Sequence, residues 1–142
     1  MIHIVIDANL FVSAVLKPDS RPAEIISLVR DDKIKLLMSE DIESEIRAVL
    51  LYPKIARRHK KSKEYVDAFF NKLRSAAIFV IPKERLSVVK DDPSDNKYLE
   101  CAVTGNAQHI LTGDSHLKEI AVYKGIRILT AADFLAIINR QK

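Results

Sequence analysis

Short runs of β-branched and apolar residues alternate along the chain with longer stretches whose apolar positions recur at helical spacing. The runs predict strands at about 2–6 (IHIVI), 34–38 (IKLLM), 78–81 (IFVI), 108–112 (QHILT) and 126–129 (IRIL). The periodic stretches predict helices at about 8–16, 22–31, 40–51, 62–76, 95–104, 115–122 and 131–140. Strands and helices in this alternation imply an α/β domain built on a mostly parallel sheet. Polar punctuation supports several boundaries. Pro22 suits a first helical turn, Ser39 can cap a helix ahead of Glu40 and Asp41, and Thr130 with Asp133 approximates a capping box. Gly105 and Gly125 fall where helix ends are expected, and Gly113 follows a strand. Nothing repetitive or linker-like divides the chain, so a single domain over residues 1–142 is expected.

Composition narrows the class. A chain of 142 residues with 48% hydrophobic content can bury one substantial core. No run approaches the roughly 18 apolar residues of a membrane span, and the start MIHIVIDANL lacks a signal-peptide layout, so a cytoplasmic protein is expected. Cys101 is the only cysteine, which excludes an internal disulfide and a thiolate zinc cluster. The formal charge of +4 permits a polyanionic partner without announcing one. Its distribution is more informative: basic residues bunch between Lys54 and Arg74, whereas acids recur just after the predicted strands.

Those acids carry the candidate chemistry. In an open parallel α/β sheet, ligands bind beyond the carboxyl ends of the strands. Asp7 follows the first strand and Asp114 the fourth. Asp95 opens a helix whose Tyr98, Leu99 and Ala102 form the inward stripe, and so points inward itself. Glu45 falls beside a stripe of Ile42, Ile46, Val49 and Leu50. Each acid has an ordinary alternative: a turn for the strand-end aspartates, a helix cap for Asp95, an ion pair for Glu45. Four acids converging at a core boundary would be untenable without cations, and Mg2+ meets that need through hard oxygen ligands.

The segments DANLFVSAVL, SEDIESEIRAVLLYPK and DDPSDNKYLECAVTGNAQHILTGDSHL together resemble the PIN-domain nucleases, in particular the VapC-like toxin branch of type II toxin-antitoxin systems. The similarity covers almost the whole chain. It implies a three-layer α/β/α fold with a central, mostly parallel sheet of about five strands, Mg2+ or Mn2+ as cofactor, and hydrolysis of RNA phosphodiester bonds. It also implies catalytic and metal-ligand roles for Asp7, Glu45, Asp95 and Asp114, with Asn9 and Thr112 as polar supports that orient the carboxylates. Asn9 could equally cap a helix. An antitoxin protein and a homodimer are the implied protein partners. One departure stands out: many relatives carry a further acid two residues after the aspartate of TGD, where this chain has His116. Asp92, before Pro93, is a peripheral candidate in an extended or turn segment.

The basic run offers Arg57, Arg58, Lys60, Lys61 and Lys63 as phosphate contacts, with a solvated helix face as the ordinary alternative. Its neighbours Tyr65, Phe69, Phe70 and Leu73 repeat at helical spacing, as residues packing a helix do. No GxxxxGK[ST] or GxGxxG follows the first strand, which removes the nucleotide-loop enzymes. Asn9 stands where a phosphatase with a nucleophilic Asp7 would want a second acid. No HExxH motif joins His3, His59, His109 or His116. The remaining alternatives are a non-catalytic acidic-pocket regulatory or interaction domain and a stand-alone RNA-processing nuclease.

Overall fold

The computed structural model describes residues 1–90 and 92–140; Asp91, which opens the DDPSD motif, lies outside them. The first element, β1 (His3–Ile6), is a continuous apolar run. Successive strand residues point to opposite faces, and Ile4, Val5 and Ile6 are all buried, so both faces of the sheet are covered. The chain then forms α1 (Ala8–Leu16) and α2 (Arg21–Arg30). Next come β2 (Lys35–Met38) and α3 (Glu40–Leu51). They are followed by α4 (Pro53–His59), α5 (Lys63–Ala76) and β3 (Ala77–Phe79). A 3-10 turn (Pro93–Asp95) leads into α6 (Asn96–Gly105) and β4 (His109–Leu111). The chain finishes with α7 (Ser115–Ile120), β5 (Val122–Tyr123), β6 (Ile126–Leu129) and α8 (Ala131–Arg140).

The strand order is β3-β2-β1-β4-β6-β5, parallel except for β5. The chain builds outward from β1 to β3, then returns to place β4 on the other side of β1. Strand order therefore reverses between β1 and β4, which makes their carboxyl ends the topological switch point of the sheet. Register there pairs Ile6 with Leu111, so the residues that follow the two strands leave the sheet side by side.

Two expectations need correction. The predicted helix over 115–122 stops at Ile120, and Val122–Tyr123 turns back as an antiparallel edge, so that the sheet of about five strands has six among the described residues. Ala121 ends the helix with a positive φ of 63°. Gly125 is not a helix stop: Lys124 and Gly125 both have positive φ and form the two-residue hairpin between β5 and β6. Gly105 does end α6, but the left-handed cap is Asn106. Glycine is needed at 105 because a Cβ there would lie 2.6 Å from Leu37 Cδ1 and 3.0 Å from Val80 Cγ2.

Capping is as the sequence reads it at Ser39 and Thr130, whose hydroxyls accept the Ile42 and Asp133 amides, while Ser20 caps the helix holding Pro22. The buried stripe of α3 is Ile42, Glu43, Ile46 and Leu50. The acid inside that stripe is thus Glu43, and Arg74 of α5 holds it with two hydrogen bonds of 2.8 and 2.5 Å. His59 closes α4 onto α3: its Nδ1 accepts the Lys61 amide at 2.9 Å, so the proton lies on Nε2, which donates to the Leu50 carbonyl at 2.8 Å. His109 is buried on β4, edge-on to Phe134; burial, and then Arg127, lower its pKa. Among the described residues no helix is long and apolar enough to cross a membrane.

Candidate functional site

The two strands at the switch point deliver Asp7 and Asp114 to a single small cavity. Asp7, Asn9, Glu45, Asp92, Asp95 and Asp114 line it, with Ala8, Ser94 and Tyr98 between them. Four elements supply these acids: the ends of β1 and β4, the second turn of α3, and the 3-10 turn before α6.

The ordinary role of each acid can be compared with what it does. Asp7 caps α1: one oxygen accepts the Leu10 amide at 2.9 Å and the other accepts the Thr112 hydroxyl. Burial raises the Asp7 pKa, the Thr112 and Leu10 hydrogen bonds oppose that, and Asp114 adds to it. Asp114 caps α7, accepting the His116 and Leu117 amides at 2.7 and 3.2 Å. Glu45 pairs with Lys97 at 2.6 Å and accepts the Tyr98 hydroxyl at 2.8 Å. Asp95 is different. It stands at the start of α6, yet its side chain makes no capping hydrogen bond, and among the described residues its buried Oδ2 has no partner.

An unpartnered carboxylate oxygen with only 7% of its residue exposed is a large electrostatic debt. Burial first, then the charges of Asp114, Asp92, Asp7 and Glu45, push the Asp95 pKa up to about 7. One ligand atom from each of Asp92, Asp95, Asp114 and His116 lies within 4.8 Å of the others. Carboxylate oxygens converging around an unsatisfied one are a donor set that a hard divalent cation accepts, with the imidazole as a borderline ligand. Asp92 is thus inside the cluster rather than peripheral to it. His116 brings its Nδ1 to 3.8 Å from Asp114, at the position where the sequence lacks a further acid.

Behind the acids stands a polar frame. The Thr112 hydroxyl donates to Asp7 and accepts the Asp114 amide at 2.8 Å, tying the two strand ends together. The Tyr98 hydroxyl accepts the Ala8 amide at 3.0 Å and donates to Glu45, linking α1 to α3 through α6. Asn9 lies exposed at the rim. Sequence reading treats Tyr98 as a core residue and passes over Lys97. Their signal was the position of both on the first turn of a helix that begins with a site acid.

The five basic residues of the 57–63 run do not line this cavity. Arg57 and Arg58 end α4, Lys60 and Lys63 flank the turn to α5, and Lys61 lies over the Tyr65 ring at 4.8 Å. Of their apolar neighbours, Phe70 and Leu73 are core, whereas Tyr65 is 47% exposed and shares a groove with Phe69 and residues of α1 and α2.

The family model described as PIN domain matches residues 3–116, and the chain belongs to the PIN-domain family. PIN domains are nucleases. An uncharacterized protein of Methanocaldococcus jannaschii is 31% identical over 116 residues, covering 82% of this chain and 73% of that protein. Among solved structures, the crystal structure of VapBC2 from Rickettsia felis, bound to a DNA fragment from their promoter, contains a similar fold. The TM-score is 0.59 at 13% identity, over 89% of this chain and 97% of the matched one.

Proposed function

We propose that the chain is a divalent-metal-dependent ribonuclease that hydrolyses RNA phosphodiester bonds and acts as the toxin of a toxin-antitoxin pair. The observation that carries the nuclease reading is the unpartnered, buried Asp95 Oδ2 facing four other acids at the switch point. Asp7, Glu45, Asp95 and Asp114 would hold Mg2+ or Mn2+, joined by Asp92 and His116, whose ligand atoms lie within 4.8 Å of those of Asp95 and Asp114. The bound cation would neutralise the carboxylates and act as a Lewis acid toward a phosphoryl oxygen.

The chain's own groups have separable tasks. Thr112 fixes the Asp7 carboxylate against the Asp114 backbone, so two acids keep their spacing when substrate arrives. Tyr98 and Lys97 set the rotamer of Glu45. Without a cation, burial and the neighbouring acids push the Asp95 pKa up to about 7; a bound cation would hold the carboxylate ionised as a ligand. The acidic cavity is narrow, so a substrate phosphate must enter from its rim, beside Asn9 and Ser94.

The toxin reading rests on the fold shared with the Rickettsia protein, whose structure is that of VapBC2 on promoter DNA. The groove formed by Tyr65, Phe69, Ile26 and Val15 offers an antitoxin apolar surface. Cleavage of single-stranded RNA in Mg2+ or Mn2+, abolished by EDTA, tests the nuclease. Relief of that cleavage by the product of an adjacent small reading frame tests the toxin, and cleavage with no such neighbour would favour a stand-alone processing enzyme.

A further inference from the structure

Beside the acid cavity lies the larger cleft of about 600 Å³, walled on one side by α3 and on the other by the segment that leads into α6. We propose that this cleft holds the phosphodiester backbone of single-stranded RNA as it leaves the acid cavity, with Arg85, Lys90 and Lys97 as phosphate contacts. The proposal rests on the ribonuclease reading and gives it a direction across the surface.

Continuity is the first support. Ser94 lines both the cleft and the acid cavity, and Lys97, a cleft residue, is 2.6 Å from Glu45, an acid of the cavity. A chain bound at the acids therefore passes Lys97 on entering the cleft. Chemistry is the second. Three cations face the cleft together with the hydroxyl-bearing Ser44, Ser87 and Ser94, groups that match phosphate oxygens, set among the apolar Leu86, Val89 and Pro93. Of the two acids there, Glu100 is buried and engaged by the Leu86 amide at 2.9 Å and by Arg85, and Asp41 pairs with Arg85 at 3.2 Å; Arg85 and Lys97 would exchange their carboxylate partners for phosphate, while Lys90 stands exposed.

The third support is that the wall is built rather than loose. Asn96, buried at the start of α6, accepts the Val88 and Val89 amides at 3.0 and 2.8 Å and donates to the Val89 and Pro93 carbonyls. Glu100 fastens Leu86 one helical turn on. The extended segment carrying Arg85 and Lys90 is thereby held before substrate arrives, which lowers the ordering cost of binding. By contrast, none of Arg57, Arg58, Lys60, Lys61 and Lys63 lines the cleft.

The test uses the full chain and a labelled, mixed-sequence single-stranded RNA, bound in EDTA at several KCl concentrations. Lys90→Ala and the double variant Lys90→Ala with Arg85→Gln are compared with Arg57→Ala/Arg58→Ala, thermal melting serving as the folding control. Because Lys90 is exposed, its single variant keeps the test valid if loss of the Arg85 pairs disturbs the fold. The expected result at low salt is about tenfold weaker binding per contact removed. The slope of log K against log salt should also become shallower by about 0.7 per contact. In Mg2+, KM should rise with kcat within about twofold. If wild type binds and cleaves RNA while the cleft variants match it, the path is wrong and the nuclease reading stands. A loss confined to Arg57→Ala/Arg58→Ala would move the path to α4. A wild-type protein that neither binds nor cleaves RNA overturns both, and tight binding of an acidic peptide instead would make the cleft a protein-docking site.

Discussion

Asp95 shows how much one carboxylate can bias the free protein. Its pKa is raised from the ordinary aspartate value to about 7 by burial and four neighbouring acids. Between those two pH values the unfolded chain has released a proton that the folded one retains, so metal-free stability falls as pH rises from about 4 to about 7 and levels off above. Asp95→Asn removes the charge, and its metal-free Tm at pH 8 should exceed wild type by roughly 5 °C. An unchanged Tm would mean that Asp95 is satisfied in solution. Tyr98→Phe should do the reverse: it strands the buried Ala8 amide and frees Glu45, costing about 1–3 kcal/mol in urea unfolding. Asp7 was legible because it directly follows an apolar run, and Asp114 because only Thr112 and Gly113 separate it from one. Asp92 was legible only as a peripheral candidate and His116 only as the replacement of an acid: one lies in an irregular turn before proline and the other on a short helix, where no periodicity reports direction.

At the level of elements, legibility followed the apolar pattern and failed where the pattern is silent. Only His59 of the seven residues of α4 is buried, so no stripe marks it, although Pro53 at its start was a usable signal. The strand β5 is two residues long and sits at the exposed edge; its signal was the hairpin pair Lys124–Gly125, read instead as the end of a helix. Glycine at 105 acts through packing: Gly105→Ala forces Leu37 and Val80 apart beneath α6 and should lower stability by about 1–3 kcal/mol in denaturant melts. Equal stability would show that the Leu37 side chain can yield without cost.

For the whole molecule, the central fact is the strand-order reversal between β1 and β4, which brings acids far apart in sequence to one edge of the sheet. That edge was readable in advance because two strands ended in aspartate; the cleft beside it was not, since it depends on how Asn96 and Glu100 fasten an irregular segment. A fold that concentrates negative charge at one edge should be tightened by a divalent cation. Saturation at about a hundred times Kd would add about 2.7 kcal/mol, seen as a rise in Tm with Mg2+ or Mn2+ that EDTA reverses. The most direct test is the rate at which wild type and Asp95→Asn cleave a labelled single-stranded RNA in Mg2+ or Mn2+, each with a chelated control. The account predicts metal-dependent cleavage by wild type and a loss of at least about a hundredfold in the folded variant. Cleavage that survives chelation, or a folded Asp95→Asn protein with undiminished metal-dependent activity, would contradict it.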